Sequence, residues 1–163
     1  MSRVAQSFLP LGGFYQFGYV TRDLDAAVVT LAEQFGVTRY RRKRSSEWME
    51  AVHAWVGDSQ IEVLQLGPGA PEMYHDYVPE AAGELRLQHL GRRVETLEDW
   101  QALEQAIAKG GFDTPMNASA MDGQLRAIYV DTRRLLGIYS EYVYFAGDAL
   151  RIYNDVPRND PAR

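Results

Sequence analysis

Apolar and polar positions change period several times along this chain, and each change marks an element. Residues 14–20, Phe-Tyr-Gln-Phe-Gly-Tyr-Val, are aromatic and β-branched and predict a strand. Asp23 then offers an N-cap ahead of Leu24, Val28, Leu31, Ala32 and Phe35, whose spacing puts them on one helical face. Gly36 stands where a left-handed C-cap glycine belongs. Residues 40–43, 48–56 and 60–66 follow as three more strands, so this stretch reads β-α-β-β-β.

Gly67-Pro68-Gly69-Ala70-Pro71 interrupts the pattern, and the polar, aromatic-dotted stretch to Glu84 reads as a connecting loop. Beyond it the pattern starts again. Residues 87–94 predict a strand, Thr96 an N-cap, and Leu97, Trp100, Leu103 and Ile107 a buried helical stripe that Gly110-Gly111 ends. Residues 125–131 and 138–145 are clear strands, with a weaker candidate near Phe112 and a glycine-bearing turn at Asp122-Gly123. Residues 148–156 predict a short helix before a frayed end.

The two stretches superimpose on one another. Gln16-Phe-Gly18 lies over His89-Leu-Gly91 and Leu24-Asp25 over Leu97-Glu98, both at an offset of 73. Ile61-Glu62-Val63-Leu64 lies over Ser140-Glu141-Tyr142-Val143 at 79, the six extra residues being loop. A duplication explains this economically: module 13–66, linker 67–86, module 87–146 and tail 147–163, within a single domain of class α+β.

Composition narrows the function more than the fold. The 163 residues are 46% apolar and 12% aromatic, enough to line a pocket as well as a core. Lys and Arg total 17 against 22 Asp and Glu, and the net charge of -5 gives no general reason to expect a nucleic-acid partner. No apolar run has the length of a membrane span, and residues 1–11 lack the character of a signal peptide, so no membrane partner is expected and the cytoplasm is the default location. The absence of Cys excludes disulfides, thiolate metal sites and a Cys nucleophile. No Gly-rich phosphate loop, Ser-His-Asp set or nucleotide fingerprint is present.

Strand alternation places Gln16 on the face of Phe14 and Gly18, with Phe17 and Tyr19 on the helix side. Gln16 and His89 open the two modules, and Glu62 and Glu141 close them. Modules packed about a pseudo-twofold would bring one imidazole and three side-chain oxygen donors together. A single strand Glu is usually just solvated; the shared register singles these out.

From about residue 13 to 146 the chain resembles the glyoxalase, bleomycin-resistance and extradiol-dioxygenase superfamily, the vicinal oxygen chelate fold, in its glyoxalase-like or methylmalonyl-CoA-epimerase-like branch. The motifs are Tyr129-Val-Asp131-Thr-Arg-Arg-Leu-Leu-Gly137-Ile-Tyr-Ser-Glu141, similar to the superfamily's Asp-to-Gly turn and ligand Glu, and Ile61-Glu62-Val63. The resemblance implies paired βαβββ modules curled into an open, cup-shaped mixed-sheet barrel with the helices outside. It also implies metal ligands at Gln16, Glu62, His89 and Glu141. Gln16 departs from the His usual there, and an amide oxygen is a weaker donor than imidazole for first-row metals. Such an oxygen-rich set suits Mn, Mg or Co, or weakly held Zn or Ni.

The function so implied is a metal-dependent isomerase, epimerase or lyase. It would act by proton transfer next to the metal-held carbonyl of a small carboxylate or acyl thioester, with Glu141 the first choice of base and Glu62 the second. The alternative is a metal-free binding or resistance-type protein that sequesters an aromatic or hydrophobic ligand. A ring-cleaving dioxygenase ranks third, because its two-His-one-carboxylate set is missing. Analogy implies a homodimer, and the partner is a small molecule.

Phe14 shares the face of Gln16 and Tyr139 that of Glu141, so both are expected to border the cup and contact substrate, while Tyr142 and Tyr144 point toward the helix. His53, within Val52-His53-Ala54-Trp55, reads as a hydrogen-bonded histidine, with substrate contact or auxiliary base as the functional alternative. His75 reads as a surface residue. Arg39, Arg41, Arg42, Lys43 and Arg44 read as a charged strand edge, with docking of an anionic substrate tail as the sharper alternative.

Overall fold

The structure, a computed structural model, describes residues 8–160. Residues 1–7, most of the segment on which the signal-peptide expectation rests, and residues 161–163 lie outside them. The element order is β1 (Phe14–Thr21), α1 (Leu24–Phe35), β2 (Arg41–Arg44), β3 (Met49–Val56), β4 (Ser59–Leu66), a 3-10 turn (Glu72–Tyr77), β5 (Leu85–Val94), α2 (Leu97–Gly110), β6 (Met116–Ala120), β7 (Leu125–Val130), α3 (Arg133–Leu136), β8 (Tyr139–Phe145), α4 (Gly147–Asn154) and β9 (Arg158–Asn159). This is a mixed α+β architecture in which β-α-β-β-β occurs once and recurs with the one-turn helix α3 inserted between its last two strands. Over the described residues the chain divides into two compact units, one of Tyr15–His89 with residues 155–160, the other of residues 8–14 with Leu90–Asn154.

In the first unit β1 runs parallel to β4, β4 antiparallel to β3, and β3 antiparallel to β2. Helix α1 starts where the Asp23 carboxylate accepts from the amides of Asp25 and Ala26 at 2.9 and 3.1 Å, and ends at Gly36 with φ of 69°. Leu24, Ala27 and Leu31 of α1 pack on Val52, Ala54 and Val63, with Tyr19 and Ile61 beside them. Each of these buried Leu side chains contributes about 1.5–3 kcal/mol. Because the odd positions of β1 and β4 and the even positions of β3 face this core, Gln16, Gly18, Gln60, Glu62 and His53 share the opposite face.

In the second unit β6, β7 and β8 form an antiparallel meander. Thr96 caps α2, its hydroxyl accepting from the amide of Asp99 at 3.0 Å, and Gly111 ends it with φ of 64°. Trp100, Leu103 and Ile107 pack on Val94, Ile128, Val130 and Tyr142, with Tyr144 at the margin. The two tyrosines therefore point to the helix side as their parity required, which leaves Tyr139 and Glu141 on the other face.

Four local expectations change. Phe35 is 70% exposed, because α1 outruns its core; Val37, just past the glycine cap, is buried in that cluster instead, its amide donating to the Leu31 carbonyl. Leu97, at the first position of α2, lies outside the cluster begun by Trp100 and is 36% exposed. The strand expected near Phe112 is Met116–Ala120, whereas Phe112 packs against the α2 core; that strand is almost wholly exposed and has no apolar alternation to read. Residues 157–160, expected to fray, are held in place. Asn159 sits in β9 beside β3, its amide oxygen accepting from the amides of Thr38 and Arg39 at 3.1 and 2.9 Å, and its NH2 donating to the carbonyls of Arg39 and Trp55 at 2.7 and 3.2 Å.

Candidate metal centre

Strand β4 lies between β3 and β1, so Glu62 has His53 directly opposite on one side and Gly18 on the other. Its Oε1 is 2.9 Å from His53 Nε2. Its Oε2 is 3.2 Å from His89 Nε2, yet off hydrogen-bond geometry, and is a buried oxygen with no hydrogen-bond partner. A methyl group at Gly18 would overlap the His89 ring, so the missing Cβ forms the cradle in which the imidazole lies across β1. Gln16 and Gln60 are paired residues of β1 and β4, and the Gln16 NH2 donates to Gln60 Oε1 at 2.7 Å. That leaves Gln16 Oε1 toward His89 Nε2, at 3.3 Å. On the far side of the ring, His89 Nδ1 is 2.7 Å from Gln88 Oε1. Gln16, Gln60, Gln88 and His89 are all buried.

Burial alone would raise the Glu62 carboxyl, but the imidazoles of His53 and then His89 outweigh it and hold that carboxyl well below the usual carboxylate range. Glu62 is therefore an anion inside the protein. The Gln88 NH2 donates to the Met73 carbonyl at 3.4 Å, so its oxygen faces the imidazole and His89 Nδ1 carries a hydrogen. Nε2 of that ring meets the oxygens of Gln16 and Glu62, as a donor when the ring is charged and as a lone pair when it is neutral. Such a meeting of lone pairs is stable only with positive charge between them, as a proton on Nε2 or as a cation. One nitrogen and two oxygens, one of them anionic and otherwise unpartnered, are a donor set that fits a divalent ion.

The structure thus gathers Gln16, Glu62 and His89, with His53 as a fourth group on Glu62. Two residues went unread in the sequence. Gln60 had a signal, since it shares the strand face of Glu62 two positions away. Gln88 had none, because alternation assigns adjacent residues to opposite faces and only the reach of its side chain brings it to His89.

Phe14, Tyr139 and Glu141 belong to the second unit. Glu141 lies opposite Tyr129 and is buried, as is Tyr139. The Arg133 guanidinium lies over the Tyr139 ring at 4.5 Å and grips Asp131 at 2.9 and 2.7 Å. Gly137, at φ of 76°, ends the Asp131–Gly137 turn, and the Thr132 hydroxyl bonds to the Ile138 carbonyl and the Ser140 hydroxyl, fixing the start of β8. Phe14 is 41% exposed.

Two residues of the basic edge form ion pairs. Arg42 meets Asp25 and Glu50 at 2.5 and 2.8 Å, and Arg44 meets Glu50 at 3.1 Å. His75 is exposed and its Nε2 donates to the Ala70 carbonyl.

No protein-family model and no curated protein matches the sequence. Solved structures do resemble it. Methylmalonyl-CoA epimerase from Mycobacterium tuberculosis superimposes with a TM-score of 0.59 at 14% identity, over 88% of this chain and 97% of that one. A variant of the Streptomyces coelicolor methylmalonyl-CoA epimerase in complex with 2-nitronate-propionyl-CoA gives 0.58 at 14% identity, over 85% and 100%. A hypothetical protein from Bacillus halodurans gives 0.56 at 14% identity, over 82% and 94%. The chain thus adopts the fold of these epimerases, which belong to the vicinal oxygen chelate superfamily.

Proposed function

We propose that this protein is a divalent-metal-dependent epimerase, isomerase or lyase that moves a proton next to the carbonyl of a small carboxylate or acyl thioester. The observation that carries this reading is the approach of Gln16 Oε1 and Glu62 Oε2 to the Nε2 of buried His89, at 3.3 and 3.2 Å. Gln16, Glu62, His89 and Glu141 would hold the ion. Glu141 completes the set because it stands at the same step of the second repeat as Glu62 in the first. Two carboxylates with a neutral imidazole and a neutral amide balance a dication, and their oxygen-rich character favours Mn, Co or Mg over Zn or Ni. The acyl thioester is the favoured substrate class, since the similar folds include an epimerase in complex with methylmalonyl-CoA.

A bound dication would supply electrostatic stabilisation of the negative charge that develops on the substrate's carbonyl oxygen as the neighbouring proton leaves. Glu141 takes that proton on its carboxylate. Glu62, kept anionic by His53, is the poorer base and serves to hold the ion. Phe14, Tyr139 and His53 contact the substrate, whose organic part the aromatic rings shield from water. The protein works in the cytoplasm as a homodimer, which its mass in solution tests.

Solvent-deuterium incorporation next to the carbonyl of methylmalonyl-CoA and other α-branched acyl thioesters tests the reaction. Incorporation that needs added Mn or Co and is abolished in Glu141→Gln, with ligand binding retained, supports the reading. Incorporation indifferent to chelator and to Glu141→Gln contradicts it.

A further inference from the structure

Two of the three converging atoms, Gln16 Oε1 and His89 Nε2, belong to side chains that could turn the wrong way. An amide rotated by half a turn would show the site its NH2, and an imidazole carrying its hydrogen on Nε2 would show it an N–H; either would repel a cation. In both cases a neighbouring glutamine settles the matter. Gln60 Oε1 takes a hydrogen from the Gln16 NH2 at 2.7 Å, which commits Gln16 Oε1 to the site. Gln88 Oε1 faces His89 Nδ1 at 2.7 Å, and Gln88 is itself committed because its NH2 donates to the Met73 carbonyl. Neither glutamine is within the set proposed to hold the ion, and both are buried, Gln88 completely. An uncharged, buried amide is costly unless its bonds are made, and these are made to the side chains of the site.

We propose that Gln88 and Gln60 are positioning residues that set the donor polarity of the site, Gln88 by keeping the hydrogen of His89 on Nδ1 and Gln60 by keeping the oxygen of Gln16 inward. This rests on the proposed metal site for its purpose, but the hydrogen bonds that set the arrangement do not involve the ion. The anchor of Gln88 also ties the site to the linker. Met73 and Tyr74, in the 3-10 turn, are buried, and Tyr74 packs on Trp48 with ring centroids 5.8 Å apart. The connecting segment thus supplies, through one carbonyl, the reference that orients His89.

Nitrogen-15 NMR of the metal-free protein tests this, with His53→Gln and His75→Gln assigning the signals of the chain's three histidines. The expected result is a protonated, slowly exchanging Nδ1 in His89 of the wild type, lost or rapidly exchanging in Gln88→Leu and kept in Gln88→Glu. An unprotonated Nδ1 in the wild type, or an unchanged signal in a folded Gln88→Leu, would overturn the proposal. In parallel, Gln88→Leu and Gln60→Leu are expected to weaken Co binding by about 10–100-fold, the usual loss when a ligand's orienting partner is removed, while Gln88→Glu keeps it. Wild-type affinity in both leucine variants would count against the positioning role. A wild type that binds no cation would sink the proposed function instead, leaving the Nδ1 signal to decide the present question.

Discussion

The opening strands of the two repeats put Gln16 and His89 at the same step, and as donors these side chains differ sharply: a neutral amide oxygen and an imidazole nitrogen. Their surroundings are nevertheless alike. Each is buried, and each has its orientation set by a glutamine amide, Gln60 for Gln16 and Gln88 for His89. The closing strands differ in another way. Glu62 is clamped by His53 and held anionic, whereas Glu141 follows a turn that Gly137 allows and the Thr132 hydroxyl fixes. A duplicated scaffold can thus keep the direction in which a donor points while changing the donor and the duty of its carboxylates.

The widest gap between the repeats is expected at those carboxylates. Glu141→Gln should lower turnover by about 10²–10⁴-fold, the usual loss for a general base, while Glu62→Gln acts first on metal affinity. Steady-state rates at saturating Mn separate the two; equal loss in both variants would erase the division of labour. The helices come next. Trp100→Ala should destabilise by about 3–5 kcal/mol in denaturant, since the ring lies inside the second core. Phe35→Ala, at the exposed end of α1, should change stability by no more than about 0.5 kcal/mol.

The first unit is braced by β9, and Asn159→Ala, which strips four hydrogen bonds, should cost about 1–3 kcal/mol. Thermal unfolding measures it. The smallest expected change removes the difference between the two opening residues: Gln16→His should tighten Co and Zn by about tenfold, or ~1.4 kcal/mol. Unchanged affinity would mean that Gln16 Oε1 is not a donor.

Most of this was legible in the sequence because it rested on period and parity. Asp23 and Thr96 capped their helices as expected, Gly36 and Gly111 ended them, and alternation sorted Tyr142 from Glu141 and Tyr19 from Gly18. What escaped was set by contacts distant in the chain. Residues 157–160 looked like a fraying end because nothing local announces that Asn159 will bond to Thr38, Arg39 and Trp55. Strand Met116–Ala120 has no apolar rhythm, being held by its ladder with β7 alone. At the site, register brought out Gln16, Glu62 and His89, but the bond between Gln88 and His89 depends on side-chain reach.

The most direct test of the proposed centre is the metal content of protein purified without chelator or affinity-tag metal, followed by calorimetric titration of the stripped protein with Mn, Co and Mg. The account predicts one tightly held divalent ion per chain, a melting temperature that rises with its concentration, and loss of both in Glu141→Ala and Glu62→Ala. No heat of binding and no thermal shift with any of these ions, in wild type and Gln16→His alike, would contradict it and return the metal-free binding protein to first place.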